Sequence, residues 1–178
     1  MENNLRIGPD ADIAATLDLL RALEGRVEVG NVTPIVDGAA IDVDPETVAS
    51  GRLDAGPDGL FSLSLATAGA PPRWISLVLR IGEADLSRAG AVCLVARGRA
   101  PRAVTIRPCL RSHSDGGFTD AFFAKRIVAF DAPSTHVDAL DLAGTGDVPR
   151  ARCRRELLFF FDAPRFELTL LDLRLAIV

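Results

Sequence analysis

The chain has 178 residues, of which 48% are hydrophobic and 25% charged. This is a composition that excludes intrinsic disorder and allows a single folded domain with a sizeable core. The formal net charge of -4 argues against general nucleic-acid binding, which draws its affinity from a surplus of cations over phosphates. No apolar run approaches a membrane span, and Met1–Arg6 lacks the basic and apolar segments of a secretory leader, so the cytoplasm is the expected location.

Pro9-Asp10 opens the one helical pattern, predicted over Ala11–Glu24. Asp10 stands where an N-cap belongs and Gly25 where a helix stops, while Ile13, Leu17 and Leu20 recur at helical spacing. Leu19 and Leu23 widen this stripe, which must pack either on the rest of the chain or on a second copy of it.

From Val27 onward the period changes to two, and strands are expected at 27–29, 40–43, 60–67, 73–81, 91–96, 103–110, 125–130, 136–142, 156–161 and 166–177. About ten strands call for two facing sheets. The predicted fold is therefore all-β: an antiparallel two-sheet β-sandwich of jelly-roll type carrying one N-terminal α-helix, with residues 1–26 as the helical segment and 27–178 as the sandwich of one domain. Gly56-Pro-Asp-Gly59, Ala70-Pro-Pro72, Asp115-Gly-Gly117 and Gly144-Thr-Gly146 supply the reversals.

Asp42-Val-Asp44-Pro-Glu46 has carboxylates at alternate positions, but Thr47 and Leu53 stand where an EF-hand needs glycine and a bidentate acid, so a solvated turn is expected, with a structural calcium site assembled from separate loops as the alternative. Gly144-Thr-Gly146 resembles the start of a dinucleotide fingerprint, yet Pro149 replaces its third glycine and no helix follows. Cys93, Cys109 and Cys153 have neither zinc nor disulfide spacing and are expected to be reduced, buried thiols. His113 and His136 are the only histidines, without a second histidine in ligand spacing, and no Gly-x-Ser-x-Gly elbow accompanies them. No cofactor, metal or catalytic set is indicated.

In Trp74–Ile81, alternation points Ile75, Leu77, Leu79 and Ile81 inward, with Trp74, Ser76, Val78 and Arg80 on the other side. In Phe159-Phe160-Phe161 it separates the rings between two faces, so they cannot form one stacking platform; the N-terminal helix is the expected cover of the outer side. Over Ala103–Arg111 the same rule places Thr105, Arg107, Cys109 and Arg111 together, provided Pro108 introduces no bulge. Of the 20 lysines and arginines only Lys125 is lysine, and guanidinium suits bidentate pairing with anions. This arginine row, followed by His113 and Asp115 in a polar loop, is the candidate ligand face; arginines paired with acids of a neighbouring strand are the alternative.

The strand Trp74–Ile81 and the closing strand Phe166–Val178 resemble the galactose-binding-like β-jelly-roll modules, the architecture of many carbohydrate-binding modules. That resemblance implies a non-enzymatic module binding carbohydrate, stacking sugar on an exposed aromatic such as Trp74, with no cofactor. Arg107 and Arg111 would clamp anionic groups of an acidic or phosphorylated glycan; His113 and Asp115 would orient hydroxyls. The competing expectation is an assembly protein that self-associates or docks on a larger enzyme through its helix and a sheet face.

Overall fold

A computed structural model describes residues 8–146 and 148–178. The N-terminal sequence read above for a leader, and Asp147 of the Gly144–Pro149 segment, lie outside the described residues. One helix, α1 (Ala11–Arg21), precedes the strands β1 (Gly25–Val29), β2 (Val32–Val36), β3 (Ala39–Val43), β4 (Thr47–Ala55), β5 (Phe61–Gly69), β6 (Ile75–Ala84) and β7 (Ala91–Arg99). They are followed by β8 (Val104–Ser114), β9 (Gly117–Phe122), β10 (Ile127–Ala129), β11 (Ser134–Asp141), β12 (Cys153–Phe161) and β13 (Arg165–Ile177). All pairings are antiparallel, in a six-stranded sheet ordered β1-β4-β5-β13-β7-β11 and a seven-stranded one ordered β10-β8-β12-β6-β3-β2, with β9 also on β8. Over the described residues the chain is a β-sandwich of jelly-roll type with one helix.

The alternation read in the sequence builds the core between the sheets. Ile75, Leu77, Leu79 and Ile81 of β6 are buried, and they meet Leu157, Phe159 and Phe161 of β12 and Phe61, Leu63 and Leu65 of β5 in one contiguous apolar cluster. The last strand is paired to its end, where Val178 and Ala91 exchange backbone hydrogen bonds of 3.0 Å. Among the described residues no helix is long and apolar enough to cross a membrane.

Three strands escape the sequence pattern. β2 contains Pro34 and lies at a sheet edge, where a missing N–H costs no ladder bond. β4, Thr47-Val-Ala-Ser-Gly-Arg-Leu-Asp-Ala55, has few large apolar residues because Gly51 is needed where a side chain would run into the Ser64–Leu65 backbone. β9 follows its partner β8 after two turn residues and reads as part of a polar loop.

Other expectations are corrected. The helix ends at Arg21, three residues before Glu24, and Asp10 makes no side-chain cap. Its Ile13, Leu17 and Leu20 are buried against β6, β13 and β2, so the helix bridges the two sheets instead of covering Phe159–Phe161. Gly82 of β6, at φ +85°, leaves room for Asp12 of the helix. The thiols are free, but only Cys109 is fully buried. The Asp42–Glu46 segment does turn at Pro45-Glu46, both exposed, but Asp44 within it is buried, 1% exposed.

Candidate functional site

The outward face of the seven-stranded sheet carries the candidate residues. β8 pairs with β12 without a register break across Pro108, so Arg107, Cys109 and Arg111 share the outer face. Direct pairing then fixes two rows across the sheet. Arg107, Phe160, Ser76 and Asp42 lie side by side on β8, β12, β6 and β3. One step along, Phe122, Cys109, Leu158, Val78 and Ala40 lie on β9, β8, β12, β6 and β3. Phe160 faces outward while Phe159 and Phe161 are buried in the core, as alternation requires.

These rows floor three adjoining depressions. A cleft of about 410 Å³ is lined by Asp42, Arg73, Trp74, Arg111, Phe118 and Phe160, among others. Beside it, a depression of about 280 Å³ is lined by Arg73, Trp74, Arg107, Phe122, Arg126, Phe160 and Asp162, among others. The third, about 600 Å³, opens toward β2 and β3 over Val78, Arg80 and Glu156. Arg73, Trp74 and Phe160 line both of the first two. The whole is an open groove with aromatic rings set among polar groups, the composition expected of a surface that binds hydroxylated rings.

Each wall is held by a specific contact. Trp74 is half-buried, and its neighbour Arg73 is fastened to Asp44: the backbone N–H donates to Oδ2 at 2.9 Å, Nε to Oδ2 at 2.8 Å and Nη2 to Oδ1 at 3.1 Å. These donors hold the Asp44 carboxyl well below the usual carboxylate range. The segment read as a turn therefore anchors the strand start that presents Trp74. Arg111 donates through Nε and Nη2 to the two oxygens of Asp120, both at 2.7 Å, and the pair raises the guanidinium pKa. Its plane lies 3.8 Å from the Phe118 ring centre. Arg107 lies 3.6 Å from the centre of Phe122, which is itself tilted against Phe160 at 6.0 Å.

Two groups on this face are pushed toward their neutral forms. Burial raises the Asp42 carboxyl, against the opposing effects of the Trp74 indole N–H and the Arg111 charge. Burial also drives the Cys109 thiol up to about 12, so it is not a nucleophile.

Of the five predicted residues, Trp74, Arg107 and Arg111 line the groove. His113 is on the same face beyond its lined part, with Nε2 2.9 Å from Glu156 Oε2 and its ring against Phe118. Asp115 stands exposed in the β8–β9 turn and does not line the groove. His136 is on β11 of the other sheet, its Nε2 buried without a partner among the described residues. Sequence reasoning missed Asp42, Arg73, Phe118, Asp120 and Phe122. The alternation of Phe118, Asp120 and Phe122 was the available signal for three of them. Among the described residues no three His, Cys, Asp or Glu side chains are grouped to hold a metal ion.

No protein-family model matches the sequence, and no curated protein matches it either. Solved structures share its fold. The family 11 carbohydrate-binding module from Clostridium thermocellum, in complex with a mixed-linked tetrasaccharide, superposes with a TM-score of 0.53 at 10% identity, over 86% of this chain and 96% of that one. The N-terminal cellulose-binding domain of Cellulomonas fimi β-1,4-glucanase C gives 0.53 at 16% identity, over 85% and 97%. The xyloglucanase domain of a type three effector from Sinorhizobium fredii, in complex with cellobiose, gives 0.50 at 8% identity, over 86% and 98%. The chain thus has the carbohydrate-binding-module type of jelly roll.

Proposed function

We propose that this chain binds carbohydrate in the groove on the outer face of its seven-stranded sheet, with the helix and sandwich acting as one unit. The observation that carries this reading is the open cleft in which Trp74, Phe118 and Phe160 alternate with Asp42, Arg73 and Arg111. Rings supply apolar faces for pyranose C–H groups, and the charged groups between them take sugar hydroxyls. Support comes from the ligands bound by two similar folds, a tetrasaccharide and cellobiose.

The activity is binding without cleavage. Glycoside hydrolysis needs one carboxylic acid poised to protonate and a second free to act as base or nucleophile. Here Asp42 is the groove carboxyl pushed toward its neutral form, but its nearest counterparts are not free to act as base or nucleophile: Asp120 is engaged by Arg111, and Glu156 is held by His113. Ile13, Leu17 and Leu20 of the helix are spent inside the molecule, so of its apolar stripe Leu19 is the part left exposed for the alternative of assembly or docking. The acidic or phosphorylated character expected for the glycan now depends on Arg107, since Arg111 already has its carboxylate.

Calorimetry against a panel of neutral and acidic oligosaccharides tests the reading, with Trp74→Ala as the control. Binding by the native protein, weakened about tenfold or more in the variant at an unchanged melting temperature, is the expected result. Binding to none of the panel, or binding indifferent to the loss of Trp74, overturns it. Release of shortened products would show an enzyme instead.

A further inference from the structure

The groove floor is electrically asymmetric. Most of its arginines are paired: Arg73 with Asp44 and Glu46, Arg111 with Asp120, Arg126 with Asp162 and Arg80 with Asp37. Arg107 is different: among the described residues it has no carboxylate, and its exposed guanidinium rests on Phe122. Asp42 is the complementary case, a half-buried carboxylate in the groove with no ion pair among the described residues. The two occupy opposite ends of one row, separated only by Phe160 and Ser76. Three strand spacings put them ~14 Å apart, about the reach of a short oligosaccharide.

We infer that this row gives the bound chain a direction and a charge position: a carboxylate-bearing sugar unit at Arg107, and an uncharged unit, donating its hydroxyls, at Asp42. This deepens the carbohydrate reading and rests on it. The guanidinium offers N–H donors in a plane that a uronate carboxylate can accept in pairs. Phe122 and Phe160 flank that position with apolar surface for the ring. At the other end the Asp42 carboxyl accepts hydroxyl hydrogens and, in its ionised form, repels a second uronate, so the groove selects against a chain charged at every unit. Arg107 and Asp42 are then the residues that set specificity, one by attraction and the other by exclusion.

The experiment compares three ligands of equal length: a neutral oligosaccharide, the same backbone ending in a single uronate, and the same backbone carboxylated throughout. The backbone is the best-binding neutral one from the panel. The singly charged ligand is expected to bind about fivefold tighter than the neutral one, an advantage that shrinks as salt rises and disappears in Arg107→Gln. Asp42→Asn is expected to strengthen binding of the fully carboxylated ligand several-fold while Arg107→Gln weakens it. Equal affinity for the neutral and singly charged ligands, or a preference untouched by Arg107→Gln, overturns the inference and leaves the carbohydrate reading standing, provided Trp74→Ala still weakens binding about tenfold or more. Failure of the native protein to bind any of the three overturns both.

Discussion

Arg111 and Asp120 face each other across the β8–β9 pair and are joined by two parallel hydrogen bonds of 2.7 Å, with Phe118 lying against the guanidinium. This fork does two things at once. It ties the short β9 hairpin arm to the sheet, and it commits Nε and Nη2 of Arg111 to a carboxylate within the fold, so fewer of its donors remain for an anionic ligand. Asp120→Ala is therefore expected to lower stability by about 1–3 kcal/mol, because a half-buried guanidinium loses its partner. It should also raise affinity for acidic glycans by releasing Arg111. Urea denaturation and calorimetry on the same variant check both.

Asp44 links stability to pH. Its folded pKa is depressed by the Arg73 donors below that of the unfolded chain. The unfolded state therefore binds the proton more readily, and the stabilisation is fully present above the ordinary carboxylate pKa of about 4. It is lost as pH falls through the depressed value. The native protein is expected to melt higher than Asp44→Asn at pH about 6, with the gap closing steadily below pH about 4. A gap that stays constant across that range would show that the carboxylate charge is not what holds Arg73.

Asp42 has the opposite sign. Its folded pKa is raised by burial, so the folded state binds the proton more readily than the unfolded one, and ionised Asp42 costs stability as pH rises through the two values. Asp42→Asn should melt higher than the native protein at neutral pH, with the difference vanishing in acid. A higher melting temperature of the variant would be the stability cost that the proposed binding role of Asp42 predicts. A lower melting temperature at neutral pH would remove that argument.

Arg155 is wholly buried, and its guanidinium donates to the carbonyls of Ala84, Pro149 and Ala151 and to the Ser112 hydroxyl. It pins the segment before β12 to β6 and β8. Arg155→Met keeps the volume but orphans those carbonyls, and is expected to cost about 3 kcal/mol or more. Chemical denaturation measures the loss. Since Arg155 faces the core, carbohydrate affinity of the folded fraction should not change.

The two-residue rhythm of the sequence was sufficient for the sandwich, its inward rows, the outward set of Thr105, Arg107 and Arg111, and the split of Phe159–Phe161 between faces, because side chains alternate by covalent geometry wherever a strand forms. The helical spacing of Ile13, Leu17 and Leu20 likewise placed the helix, although three residues too long. β4 and β9 stayed hidden, one for want of large apolar residues beside Gly51 and the other by its place after the Asp115 turn. The groove was decided by the tertiary structure alone. Asp42, Arg107 and Phe160 are far apart in the chain and become one row only through strand register, while burial of Asp44 and the pairing of Arg111 depend on which strand lies alongside. Alternation is a local property and register is not, so the chain announces which face a side chain takes but not which side chains it will meet there.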